Sequence, residues 1–211
     1  MNLAATKPPA QEAKGRCIIQ MRSLRECLFY RRDLPGYSLD IFDLNDQCGI
    51  ASLMINEQDD WYTDMPIAVV RSRENFWIAE FLGETEALGA YIFADDEDYE
   101  RLIAWLQARQ RAPRVYLYTD FTSAGVEVAG RFLASITEGE LYVPAGDLTS
   151  IWQSHGRAIL FNQDQYSRLR SSLKVLDRLS VQAVMFHLGK FQSGVELRSM
   201  AIVAKDDEAF H

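Results

Sequence analysis

The sequence contains few cysteines, and their spacing fits neither a disulfide framework nor a metal site. Three occur among 211 residues, with no C-x-x-C pair: Cys17, Cys27 and Cys48. Their odd number, and the lack of an apolar leader segment after the first residue, predict reduced thiols in a cytoplasmic protein. The histidines do not have the spacing of zinc ligands either, since they lie far apart at His155, His187 and His211.

Long hydrophobic runs are also missing from the sequence. No stretch approaches the roughly 20 apolar residues that a transmembrane helix needs, so we expect no membrane span. Hydrophobic residues make up 48% and charged residues 25% of the chain, which are ordinary values for a globular domain. The sequence favours a flexible tail over 1–15, an N-terminal appendage over 16–64, a larger domain over 65–202 and a tail over 203–211.

Basic residues are scarce in one part of the chain. The net charge is -8, and residues 36–100 contain sixteen acidic side chains but only two basic ones, Arg71 and Arg73. A surface that binds duplex DNA must present cations to the phosphates, so this segment argues against a large DNA-binding face. It would suit contact with a basic protein surface or mimicry of nucleic acid, and the alternative is a solvated acidic face that keeps the protein soluble.

The spacing of apolar residues indicates an α/β fold. Within 16–30 the spacing is closer to that of a helix than of a strand, although the run could begin with a strand. Short apolar runs predict strands at 67–70, 87–93, 115–118 and 141–143, with helices between them, and further helices are predicted at 147–152, 163–176 and 181–188. Strands that alternate with helices through short loops predict a mostly parallel sheet with helices on both faces.

The segment around Asp120 is the strongest candidate site. An apolar strand ends just before Asp120, and a helix follows at once with Gly125 in its first turn. In parallel sheets, ligands bind at the carboxyl ends of strands, near a topological switch point. Glu74 follows the first strand of the same unit, so parallel strands would bring both carboxylates to one edge of the sheet. Two carboxylates there could share Mg²⁺ or divide acid and base roles.

The order of these residues resembles a known family. Strand, Glu74, helix, strand, helix, strand, Asp120 and then Ser-Ala-Gly125 looks like the Toprim domain of topoisomerases, primases and related nucleases. The chain more closely resembles the Toprim nuclease subunit of Wadjet-type SMC-like plasmid-defence complexes, over roughly 65–202. The matching segments are Glu74-Asn75-Phe76, Leu88-Gly89-Ala90-Tyr91, 120–125 and, loosely, Val195-Glu196-Leu197-Arg198.

The resemblance implies a Toprim-like fold and a set of site residues. The catalytic residues would be Glu74, Asp120 and Glu196, and the metal ligands would be Glu74, Asp120 and Thr122. Two positions depart from the family pattern, because Thr122 replaces the second Asp of Asp-x-Asp and Arg198 replaces the second Glu of the closing segment. Losing two carboxylates should severely weaken binding of a hard cation.

These departures lead to two hypotheses about function. The first is a non-catalytic Toprim-like interaction protein without a cofactor. It would be encoded by a mobile element, and it would inhibit or regulate DNA-handling machinery in plasmid transfer, defence or replication through a protein partner. The second is a Mg²⁺-dependent Toprim-type DNA nuclease. An unrelated α/β structural protein is a third possibility, and the sequence leaves direct DNA binding open.

Each site residue also has a purely structural interpretation. The segment from Asp120 to Ser123 is equally typical of a strand end and helix N-cap, with Thr122 or Ser123 accepting from the first turn. Glu74 is a favourable first-turn acid of a helix without any metal. The acids at 95–98 fit a solvated helix start better than a metal site.

Arginines and histidines elsewhere give weaker signals. A basic ridge for phosphate could form from Arg101, Arg109, Arg111 and Arg114, although such a run is more often a solvated helix face. His187 is expected at the edge of the core. His155 lies near Trp152 in sequence, but no nucleophile accompanies it.

Overall fold

A computed structural model describes residues 16–81, 88–144, 146–172 and 178–200, so the predicted tails at 1–15 and 203–211 lie outside the described residues. The strands are β1 (Cys17–Arg22), β2 (Leu28–Arg31), β3 (Ser38–Asp40), β4 (Ala51–Ile55), β5 (Trp61–Tyr62), β6 (Ile67–Val70), β7 (Ala90–Phe93), β8 (Val115–Tyr118) and β9 (Gly139–Leu141). The helices are α1 (Ile41–Cys48), α2 (Arg73–Ile78), α3 (Asp96–Ala108), α4 (Ser123–Ser135), α5 (Leu148–His155), α6 (Gln163–Ser172) and α7 (Leu179–Phe191).

The main sheet has six strands in the order β4-β1-β7-β6-β8-β9. Strands β7, β6, β8 and β9 are parallel to their neighbours among themselves, whereas β1 runs antiparallel to both β7 and β4. The prediction of an α/β fold with a mostly parallel sheet is therefore confirmed. The segment predicted as an N-terminal appendage contributes β1 and β4 to this same sheet.

The central strands are buried on both faces. All four residues of β6 and all four of β7 are buried, as continuous apolar runs require in a covered parallel sheet. The chain steps from β6 to β7 in one direction and from β7 to β8 and β9 in the other. Right-handed crossovers then place α2 on one face and α3 and α4 on the opposite face. Helices α6 and α7 pack on α4, and α5 packs on α7.

The N-terminal segment 16–30 is not helical as its spacing favours; it begins with strand β1, the alternative that the sequence left open, and continues into β2. In β1 the buried residues alternate, with Cys17, Ile19 and Met21 pointing into the core. The apolar residues nearest the C-terminal end of the segment belong to β2, after an irregular connection. β2 lies between β3 and β5 in a second, three-stranded antiparallel sheet. Along the sequence, the apolar residues of β1 and β2 together have a spacing close to that of a helix, although they belong to two strands.

Short polar side chains begin several helices. Asp40, Ser72, Thr122 and Asp147 each accept hydrogen bonds from backbone N–H groups in the first turn of the helix that follows. Within the described residues, the longest helices, α3, α4 and α7, contain 13 residues each. In the described parts of the chain, no helix has the length and apolar character needed to cross a bilayer.

Candidate functional site

The candidate site lies where β6 and β8 end side by side. Val70 pairs with Tyr118 at the carboxyl ends of these parallel strands, and the backbone N–H of Arg71 donates to the Tyr118 carbonyl at 3.1 Å. The order in which the chain adds strands to the sheet reverses here, because β7 lies on one side of β6 and β8 lies on the other. Glu74 and Asp120 therefore leave the sheet at one edge, beside the topological switch point, as predicted.

The Asp120 carboxylate fixes two other segments. Its Oδ1 atom accepts a hydrogen bond from the Leu197 backbone N–H at 2.8 Å and another from Asn75 Nδ2 at 3.2 Å. Leu197 begins a helical turn over 197–200, and its side chain is fully buried. Reciprocal backbone bonds between Phe121 and Val195, at 2.8 and 3.0 Å, hold the same segment. Asp120 thus ties the C-terminal segment to the edge of the sheet.

Arg198 connects the two glutamates. Its Nη1 lies 3.3 Å from Glu74 Oε2, and its Nε and Nη2 lie 3.2 Å from Glu196 Oε2 and Oε1 respectively. The fork toward Glu196 is bidentate, a geometry that only a guanidinium supplies. Hydrogen bonding to Glu196, and then the charges of Glu196 and Glu74, raise the pKa of Arg198 above its ordinary value. The guanidinium is therefore held as a cation between the two glutamates.

A second arginine completes the cluster. Arg157 Nη1 lies 3.4 Å from Glu196 Oε2, and the backbone of Arg157 pairs with that of Gly194 through two hydrogen bonds. We define the switch-point cluster as these five side chains: Glu74, Asp120, Arg157, Glu196 and Arg198. It contains three carboxylates and two guanidinium groups, so most of its charge is neutralised internally.

Thr122 caps a helix. Its Oγ1 accepts from the Gly125 backbone N–H at 3.0 Å, which confirms the structural interpretation of this position. Ser123 is buried and directs its hydroxyl toward the Asn162 carbonyl at 3.5 Å instead. A Cβ atom at Gly125 would overlap the carbonyl oxygen of Asp120. Gly125 therefore allows a close approach between the helix and the Asp120 backbone.

The sequence predicts that Glu74 and Asp120 share one edge of the sheet, as observed, whereas Glu196 enters only through the motif resemblance. Two further partners, Asn75 and Arg157, have no predicted role. Asn75 had been matched to a motif without a role, and it donates to Asp120. Arg157 had not been singled out at all. No local sequence signal marks Arg157, because its pairing with Glu196 depends on the tertiary fold.

The cluster chemically resembles an ion-pair network more than an open metal site. Glu196 is turned toward two cations, and one oxygen of Asp120 already accepts two hydrogen bonds. Among the residues that the structure describes, no group of three or more His, Cys, Asp or Glu side chains is arranged to hold a metal ion. Glu74 and Glu196 would first have to release Arg198 before they could hold Mg²⁺.

Arg111 fits neither the possible basic ridge nor the solvated helix face that the sequence favours. This side chain is buried, and it donates to the carbonyls of Trp105, Asp59, Trp61 and Glu57 at 2.6–3.3 Å. Its guanidinium also lies 4.8 Å from the Trp105 ring centroid. Burial lowers the pKa of Arg111 to about 10, while Asp60 acts in the opposite direction. Arg111 is a structural residue that anchors the loop before β5 to the end of α3.

The other arginines of that run pair with separate acids. Arg101 contacts Asp98, Arg109 contacts Asp60, and Arg114 lies 3.8 Å from Glu140. The acids at 95–98 pair with neighbouring arginines as well, through Arg73 to Asp95 at 2.8 Å and Arg71 to Asp96 at 3.3 Å. These contacts fit the solvated helix start that the sequence suggested.

His187 lies at the edge of the core, as expected. It is half-buried, its ring centroid is 5.2 Å from that of Trp152, and its Nε2 atom is 3.3 Å from Thr149 Oγ1. Its Nδ1 lies 2.8 Å from the Ala183 carbonyl, which can only accept, so Nδ1 donates there. The histidine is occupied by structural contacts on both ring nitrogens.

The fold and the site together define an α/β protein with a charged cluster at the switch point of a mostly parallel sheet. Comparison with protein-family models, curated proteins and solved structures finds no match to this chain. The Toprim resemblance therefore depends on the residues and on the order of the elements. It remains an interpretation of the motifs.

Proposed function

We propose that the chain is a degenerate Toprim-like protein that acts by binding a protein partner. In this proposal it works in the cytoplasm and inhibits or regulates DNA-handling machinery, such as a plasmid transfer, defence or replication complex. The observation that carries the non-catalytic part is the contact of Arg198 with both Glu74 and Glu196. The link to DNA-handling machinery comes from the resemblance of the motifs.

The contacts of Arg198 support a binding role for a physical reason. A hard cation such as Mg²⁺ depends on charged oxygen ligands, and here a guanidinium neutralises two of the three carboxylates. Thr122, at the position where the family has an aspartate, adds no negative charge and uses its oxygen as a helix cap. A metal would have to displace the Arg198 guanidinium, and it would find two carboxylates fewer than the family pattern provides.

A specific observation favours the second candidate, a Mg²⁺-dependent nuclease. Glu74 and Asp120 stand at one edge of the sheet, and the Arg198 and Glu74 side chains are 51% and 75% exposed, so the pair can separate into solvent. If Arg198 moved away, the metal would lie between Glu74, Asp120 and Thr122, with Glu196 as a further carboxylate. Asp120 would then be essential for cleavage.

One experiment separates the two candidates. Supercoiled plasmid is incubated with the full chain and Mg²⁺ or Mn²⁺, in parallel with Asp120→Asn, which keeps an acceptor oxygen at the position that binds Leu197. Unfolding temperatures are recorded with and without each metal. We expect no cleavage and no metal-dependent shift. Cleavage by the wild type that is lost in Asp120→Asn would overturn the binding role and establish the nuclease.

The partner part of the proposal needs its own test. The tagged chain is expressed in cells that carry its native gene neighbourhood, and co-purifying proteins are identified by mass spectrometry. We expect a component of a DNA-processing complex. Recovery of no stable partner, or of a partner unrelated to DNA, would contradict the proposed function.

A further inference from the structure

The outer face of the three-stranded sheet combines carboxylates with tyrosines. Along β2 and the two residues before it the side chains alternate, so that Cys27 and Phe29 are buried while Glu26, Leu28 and Tyr30 point to the other side. On the neighbouring chain segment, Tyr62 pairs with Tyr30, and Asp64 follows two residues later. We name the tyrosine face after these five residues: Glu26, Leu28, Tyr30, Tyr62 and Asp64.

A small cavity opens on the tyrosine face. It has a volume of about 200 Å³, and its lining consists of Glu26, Leu28, Tyr30, Thr63, Asp64 and Met65. Sites for metabolites and other small molecules usually measure roughly 300–1,000 Å³. The cavity is below that range, so its size fits a single side chain better than a free ligand.

The negative charge of the tyrosine face is not neutralised by the arginines of the same sheet. Glu26 and Asp64 are exposed, and neither forms an ion pair with another residue in the described ranges. Arg31 is bonded to Asp33, and Arg32 lies 3.9 Å from Asp60 while it donates to the Gln110 carbonyl. The carboxylates at the cavity are therefore available for a cation from outside the sheet.

The lining groups match the parts of a lysine or arginine side chain. The two carboxylates would accept charge-assisted hydrogen bonds from its head, and the Tyr30 ring offers a cation–π contact. Leu28 and Met65 would cover its methylene groups. The sheet already contains one such contact, because the Arg32 guanidinium lies 4.3 Å from the centroid of the Tyr62 ring. Tyr62 in turn packs against Tyr30 at 5.5 Å between centroids.

We propose that the tyrosine face is a docking surface for a basic segment of a protein partner, with one arginine or lysine side chain in the cavity. The two acidic side chains that line the cavity, Glu26 and Asp64, supply the charge complementarity to such a segment. Nucleic acid fits poorly, because its phosphates would meet Glu26 and Asp64. This inference rests on the proposed function only in requiring a protein partner, since it does not depend on DNA-handling machinery or on the switch-point cluster.

A peptide titration of the full chain tests the surface. The probe is an acetylated and amidated hexapeptide of alternating glycine and arginine, and the control replaces each arginine by citrulline, which has nearly the same shape but no charge. Backbone amide resonances of the ¹⁵N-labelled protein are followed by NMR at low ionic strength. We expect saturable shifts at Glu26, Leu28, Tyr30, Thr63 and Asp64 with the arginine peptide, and none with the citrulline peptide.

Matched variants assign the binding to the two carboxylates. Glu26→Gln with Asp64→Asn removes two exposed charges, whereas Glu97→Gln with Glu100→Gln removes two exposed charges on α3, outside the tyrosine face. We expect the first pair to weaken peptide binding at least about fivefold, as the loss of two exposed charge contacts implies, and the second pair to weaken it less than about twofold. All four side chains are exposed, so both variants should fold, which circular dichroism verifies.

Several results would overturn the docking surface. They are the absence of saturable binding, equal binding of the citrulline peptide, shifts confined to other surfaces, and equal weakening by the two pairs of variants. A single-stranded oligonucleotide that shifted the same resonances would overturn the choice of a protein partner. None of these results bears on plasmid cleavage, so failure here is distinguishable from failure of the proposed function.

Discussion

Arg198 Nη1 lies 3.3 Å from Glu74 Oε2, although the two residues are 124 positions apart in the chain. The contact joins the first turn of α2 to the helical turn over 197–200. Asp120 is bonded to both segments, because its carboxylate accepts from Asn75 and from Leu197. A cation that belongs to the protein thus lies where the motif resemblance would place a metal-binding carboxylate. The main question about this site is therefore whether Arg198 excludes a metal or merely covers its position.

Replacing Thr122 and Arg198 should create metal affinity. In Thr122→Asp with Arg198→Glu, the cluster loses one positive charge and gains two carboxylates near Glu74, Asp120 and Glu196. Aspartate is also a good N-cap, so α4 should begin as before. We expect the double variant to bind Mn²⁺ at least about tenfold more tightly than the wild type, because hard cations depend on charged oxygen ligands. Isothermal titration calorimetry measures the affinity.

Two controls make this result interpretable. Thr122→Ser keeps the capping hydroxyl and adds no charge, and Arg198→Gln removes the cation without adding a carboxylate. We expect neither to reach the affinity of the double variant. If the double variant folds, as judged by circular dichroism, and binds Mn²⁺ no better than the wild type, the positions do not form a degenerate metal site.

Asp120 should contribute to stability through its hydrogen bonds. Asp120→Ala would leave the buried Leu197 N–H without its acceptor, which costs about 1–3 kcal/mol. Asp120→Asn retains an acceptor oxygen at the same place and should lose about 1 kcal/mol or less, since one neutral hydrogen bond replaces a charge-assisted one. Urea unfolding followed by tryptophan fluorescence gives both values. Equal losses in the two variants would mean that the bond to Leu197 is not the stabilising interaction.

Elements whose determinants are local could be predicted from the sequence. The strand at 115–118 was predicted with its observed bounds, because a short apolar run followed by a capping residue is enough to define it. The start of a helix after Asp147 was also predicted. So was the common edge of Glu74 and Asp120, because parallel strands have their carboxyl ends on the same side of the sheet. The N-terminal strands could not be predicted in this way, because β1 forms through pairing with β4 and β7, which are distant in the sequence.

Contacts between distant segments could not be predicted. Arg198 appeared in the sequence only as a residue that replaces a carboxylate, and its partner Glu74 is too distant in the chain for any spacing rule. Arg111 looked like its exposed neighbours Arg109 and Arg114. Only the fold brings the carbonyl groups of the loop before β5 to its guanidinium.

Arg111 should be far more sensitive to substitution than Arg114. Arg111→Lys keeps the charge but cannot donate to four carbonyls in different directions, so a buried charge would lose most of its partners. We expect a loss of about 3 kcal/mol in the free energy of unfolding, against less than about 0.5 kcal/mol for Arg114→Lys on the exposed surface. Urea unfolding at pH 7.5 measures both. Similar losses would show that the Arg111 contacts add little.

The three thiols should differ sharply in reactivity. Cys17 and Cys27 are buried and Cys48 is exposed. Burial raises the pKa of Cys17 and of Cys27 to about 11, so at pH 8 almost none of either is in the nucleophilic thiolate form. We expect one equivalent of thiol to react quickly with Ellman's reagent in the native protein and three in guanidinium chloride. Cys48→Ser should abolish the fast phase and leave the circular dichroism spectrum unchanged. Fast reaction of two or more thiols in the native protein, or a fast phase that survives in Cys48→Ser, would contradict the burial of Cys17 and Cys27.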